Sequence, residues 1–99
     1  MAALLSPSAR RSLKKLGADI AVARKRRRIS TESMAERAQM SRMTLMKVEN
    51  GDHSASMAAY MSVLMILGLE GRIADLAAPE SDSMAMTLDE ERLPKRIRS

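Results

Sequence analysis

Residues 29–51 read ISTESMAERAQMSRMTLMKVENG, and the punctuation of this stretch decides the fold. Ser30 offers a hydroxyl to cap a helix, with Glu32 in the first turn and Met34, Ala35 and Ala38 facing inward. After a very short break Ser41 supplies a second cap, and Leu45 and Val48 mark the inward face of the next helix. Asn50-Gly51 stops it, because glycine takes the left-handed backbone of a helix end without strain. Two short capped helices thus stand about three residues apart, with the small side chain of Ala35 where they should cross. A helix that must project into a DNA major groove, about 12 Å wide, needs this spacing.

Working outward, Leu16, Ile20 and Ala23 recur at helical intervals from about Ser12, and the cations from Arg24 to Arg28 close that first helix where its dipole favours positive charge. Residues 1–12, with Arg10 and Arg11, read as a basic N-terminal arm. Downstream, Ser56 caps a fourth helix whose stripe of Met57, Tyr60, Met61, Leu64 and Leu67 is expected to be core. Gly68 breaks it, and Leu69, Ile73 and Leu76 suggest a short fifth helix before Pro79. The expected organisation is an arm over 1–12, an all-α domain over 13–78 and a tail over 79–99. Any strand at 84–88 would need a partner chain, because five residues cannot stand alone as a sheet.

At 99 residues the chain suffices for one compact domain plus tails. With Tyr60 its only aromatic residue and ten methionines, its core is expected to use Leu, Ile, Val, Ala and Met. The absence of cysteine excludes a disulfide framework and fits a reducing cytosol; the lone His53 cannot build a metal site, and no cofactor is expected. The start of the chain lacks a signal-peptide pattern, and the longest apolar run, 57–69, falls short of the roughly 20 residues of a membrane span, so a cytoplasmic protein is expected.

Charge is distributed unevenly. Up to residue 30 there are nine Lys/Arg against one acid, from 31 to 51 three against three, and from 52 onward five against eight, which together give the net +5. A polyanion on one side and a different partner on the other would suit this asymmetry, as would an ordinary solvated basic helix. Enzymatic chemistry has little support. There is no glycine-rich phosphate loop, and Asp52, His53 and Ser54, being consecutive, cannot converge as an acid, base and nucleophile must.

Taken together, Ile29-Ser30, Ala35-Glu36, Met40-Ser41-Arg42, Leu45, Val48-Glu49-Asn50-Gly51, Ser56 and Leu67-Gly68 resemble the Xre/Cro-type (lambda-repressor-like) helix-turn-helix repressors, whose five-helix domain would cover residues 16–76. The resemblance implies a transcriptional repressor that binds double-stranded DNA as a homodimer on a palindromic operator. It makes the third helix the reader, with Arg42, Met43 and Lys47 at base edges and Thr31, Ser41 and Thr44 at phosphates. It also implies a structural ion pair between Arg24 and Glu49. Gln39 departs from the family, which usually has glycine there; a left-handed Gln39 would cost roughly 1–2 kcal/mol. The end of the chain, from Leu88-Asp89-Glu90-Glu91 to Arg98, with the fifth helix, looks like the tails of HipB-like antitoxins, which implies a HipA-type kinase toxin as a second partner. The alternative is a stand-alone or phage-type repressor. Helix 5 and residues 84–88 are the expected dimer interface.

Overall fold

A computed structural model describes residues 5–81 and Met84; among them the protein is all-α. Five helices follow in order: α1 (Pro7–Arg26), α2 (Thr31–Arg37), α3 (Arg42–Glu49), α4 (Met57–Leu67) and α5 (Glu70–Ala74), with a 3-10 turn at Pro79–Ser81. No described helix is long and apolar enough to cross a membrane. Of the tail over 79–99, residues 79–81 form the 3-10 turn and Met84 is helical; the rest, including the remainder of any strand at 84–88, lies outside the described residues.

One start signal and one stop signal build the first four helices. Ser6, Ser30, Ser41 and Ser56 are the N-caps, each hydroxyl accepting the N–H three residues on, at 3.1, 3.0, 3.0 and 3.0 Å. At the other end each helix closes through a left-handed residue: Arg28, Gln39, Gly51 and Gly68 have φ of 55°, 56°, 66° and 76°. The residue after each then returns its N–H to a carbonyl five positions back, as Ile29 does to Arg24 and Met40 to Ala35. Two of the four stops are glycines. The other two carry side chains in a backbone region that costs an L-residue about 1–2 kcal/mol.

The cap at Ser6 corrects the arm read over residues 1–12. With Pro7 in the first turn, where its missing N–H is no loss, Ser6 starts α1 six residues earlier than the apolar spacing alone indicates. Arg10 and Arg11 therefore ride on a 20-residue helix.

The core gathers Ile20, Met34, Ala35, Leu45, Val48, Tyr60, Val63, Leu64 and Leu67. α3 lies at its centre, packed by α1, α2 and α4, while α5 rests on α4. Two expectations change here. Met57 is exposed, since α4 turns Tyr60, Val63, Leu64 and Leu67 inward and its first residue points away. Of the methionines, Met34 is fully buried whereas Met43, Met46, Met57, Met65 and Met84 are exposed. Branched Leu, Ile and Val fill the close-packed interior, leaving the flexible thioethers largely on surfaces.

Candidate functional site

α3 has two faces, and their separation follows from helical geometry. Leu45 and Val48 are buried, while Arg42, Met46, Met43 and Lys47 fall in that angular order on an exposed arc of about 140°, at 100° per residue. Two cations therefore flank two methionines. Thr44 and Glu49 lie half-buried between the faces.

Close backbone contact fixes the inner face. A Cβ on Gly17 of α1 would lie 2.5 Å from the Gly51 amide nitrogen and 2.6 Å from the Val48 carbonyl oxygen. Gly51 in turn sits so near α1 that its own Cβ would come 2.5 Å from the Leu13 carbonyl and from the Lys14 Cα. Only hydrogen at both positions permits this crossing, and Gly51 adds the left-handed turn that ends α3. Gly17 escaped the sequence reading. Its signal is a small residue on the stripe of Ile20 and Arg24, the α1 face toward α3.

About two turns beyond Gly17 on that stripe, Arg24 reaches Glu49 in the last turn of α3. Its Nε donates to Oε2 at 2.7 Å and its Nη2 to Oε1 at 3.1 Å, and both side chains are 8% exposed. A third donor, Nη1, holds the Ile29 carbonyl at 2.8 Å, so one guanidinium ties α1, the turn before α2 and the end of α3. No buried side-chain polar atom among the described residues lacks a partner, so the pair's desolvation is offset by hydrogen bonds.

The polar groups assigned to phosphate contact cluster at the front edge of this pair of helices. Ser41 Oγ accepts the Thr44 N–H and donates to Thr44 Oγ1 at 3.0 Å, leaving the Thr44 hydroxyl proton free to donate outward. Arg42 Nη2 comes within 3.5 Å of Thr31 Oγ1, which places the first residues of α2 and α3 side by side. Thus Thr31, Ser41, Arg42 and Thr44 share one edge, Met43 and Lys47 continue it along the exposed arc, and Arg24 and Glu49 stand behind as a brace. Met46 lies on this arc between Arg42 and Met43.

The loop after α3 is pinned to α4. Tyr60 Oη donates to the Asp52 carbonyl at 3.0 Å, and burial, helped by the Asp52 charge, pushes the phenol pKa up. The Asp52 carboxylate accepts the Ser54 N–H at 2.8 Å, which holds its pKa below the usual carboxylate value. Asp52 and Ser54 thus serve the turn. Among the described residues no three His, Cys, Asp or Glu side chains gather as a metal ion would need. Compared with known proteins, the chain matches no family model, no curated protein and no solved structure.

Proposed function

We propose that the protein is a helix-turn-helix DNA-binding repressor, with α2 and α3 as the motif and α3 as the helix that enters the major groove. One observation carries this reading: α3 is braced on its inner face while its outer face leaves Arg42, Met46, Met43 and Lys47 exposed, with one long hydrogen bond, from Arg42 to Thr31, among these side chains in the described residues. A reading helix needs that division, because the protein must hold the helix at a fixed angle and still leave its side chains free for base edges. Arg42 is the guanine reader in this proposal, through its two-pronged guanidinium, and the methionines cover thymine methyl groups. Thr31 and Thr44 hold phosphates and set register.

One eight-residue helix reads few base pairs, so the active form is a symmetric dimer on two half-sites about 34 Å apart. Footprinting on the DNA upstream of the protein's own gene tests the proposal. Two protected patches one helical turn apart are expected, and uniform protection or none overturns it. The antitoxin extension, with a HipA-type kinase as second partner, rests on the resemblance of the end of the chain together with α5. Pull-down of the neighbouring gene's product checks it independently of DNA.

A further inference from the structure

With ten methionines and no cysteine, the chain carries its readily oxidised sulfur entirely as thioether. The fold sorts those thioethers by access. Met34 is sealed in the core cluster with Leu45 and Val48, and Met40 and Met61 are half-buried. Met43, Met46, Met57, Met65 and Met84 are exposed. Two of these, Met43 at 71% and Met46 at 48% exposure, occupy the middle of the open arc of α3, where the proposed reading brings base edges. Each also has a cation one helical turn away. Arg42 stands four residues before Met46, and Lys47 four residues after Met43, the spacing at which side chains on a helix meet.

We propose that Met43 and Met46 form a modification site for peroxide, and that their oxidation weakens DNA binding. The second half rests on the DNA-binding reading; the first does not. In the reaction the sulfur lone pair attacks one peroxide oxygen and the O–O bond breaks. Sulfur gives up two electrons and gains an S–O bond, while the other oxygen takes the proton of the transferred one and leaves as water. The thioether becomes a polar sulfoxide. Where the thioether covers a thymine methyl, the sulfoxide oxygen gives up its water and finds no donor. Where it turns aside, it accepts from Arg42 or Lys47 one turn away and holds that cation back from the DNA.

The same chemistry spares the fold. Leu45, Val48 and Glu49 on the inner face of α3 have no sulfur, and Met34 is closed to peroxide. Met57 and Met65 are open to it as well, but both lie on α4, away from the reading arc. They serve as internal controls.

Hydrogen peroxide applied to the full chain tests the proposal in two arms. Peptide mass mapping at limited dose should find sulfoxide at Met43 and Met46 while Met34 stays a thioether and the helical circular dichroism is unchanged. Protection of Met43 and Met46 to the level of Met34, or loss of helix at that dose, overturns the site. In the second arm the oxidised protein should bind the duplex from upstream of its own gene about ten-fold more weakly than the reduced protein. Treatment with methionine sulfoxide reductases should restore the binding. Met43→Leu with Met46→Leu, whatever its own affinity, should bind equally before and after peroxide, whereas Met57→Leu with Met65→Leu should keep the full loss. No loss in the natural chain, or an undiminished loss in the first variant, overturns the switch. Reduced protein that binds neither that duplex nor random DNA overturns the DNA reading instead, and the mass map still decides the modification site.

Discussion

On its inner side α3 sinks Leu45 and Val48 to zero exposure, presses the backbone of Val48, Glu49 and Gly51 against Gly17, and clamps Glu49 in the fork of Arg24. About half a turn round the same helix Met43 stands 71% exposed, and its neighbours Arg42, Met46 and Lys47 are open too. Eight residues thus serve two purposes that sequence changes can separate. Inner-face changes should appear as lost stability, and outer-face changes as lost recognition with the fold intact.

The largest effect is expected at the ion pair. Arg24→Ala leaves the Glu49 carboxylate buried without its cation and frees the Ile29 carbonyl, so denaturant unfolding should report a loss of about 3–5 kcal/mol. Replacing both partners by apolar residues of similar volume should recover part of that loss, since no lone charge then remains buried. A loss below about 1 kcal/mol for Arg24→Ala would mean that the brace is screened in solution and that the two faces differ less than the geometry indicates.

Next comes the backbone crossing. Gly17→Ala would set a methyl 2.5–2.8 Å from three backbone atoms of the α3 end, none of which can rotate away as a side chain could. Thermal and urea unfolding should show a loss of about 2–3 kcal/mol, within the range for overpacking a filled interior. Helix propensity alone would favour alanine by about 1 kcal/mol, so a stabilised variant would show that α1 and α3 stand farther apart than described.

How far residues disclose their roles depends on whether the role is local. All three serines read as helix caps, Ser30, Ser41 and Ser56, are caps, because capping needs only the hydroxyl and the N–H three residues on. Ser6 uses the same chemistry; it escaped because α1 before Leu13 buries little and shows no apolar stripe. Met57 continues the stripe of α4 yet is exposed, since periodicity identifies a face but not where the neighbouring elements stop covering it. Gly17 was silent for a related reason, as close approach is a property of two segments 34 positions apart. The exposed arc of α3 can be traced from helical spacing once the buried side is known, but what it touches depends on a partner.

A smaller effect is expected at the turn that separates the two helices. Gln39 closes α2 with φ at 56° and has no Cβ-free backbone to relax that strain. Gln39→Gly removes it, against the larger entropy that glycine surrenders on folding, for a net gain of about 0.5–1 kcal/mol in urea unfolding. Arg28→Gly, at the matching stop of α1, should gain a similar amount. A loss at either site would mean that the side chain makes contacts outweighing the strain.

Smallest of all should be the effect of the outer face on stability. Among the described residues the Arg42 side chain makes one hydrogen bond, the 3.5 Å approach to Thr31 Oγ1, which is at the long limit of such a bond and open to water. Arg42→Ala leaves the Ser41 cap and the Leu45 and Val48 packing untouched, so unfolding should shift by less than about 0.5 kcal/mol. The proposed reading role gives the same substitution a second readout: operator binding should weaken by about 1–3 kcal/mol, with preference relaxed at one base pair and random DNA affected far less. Lys47→Ala is the useful contrast. A compact ammonium selects between bases less sharply than a bidentate guanidinium, so its loss should fall more evenly on operator and random sequence. Equal losses on both DNAs for Arg42→Ala would demote it to a phosphate contact. A large loss of stability would instead erase the distinction between the two faces, by showing that the outer side of α3 also holds the fold.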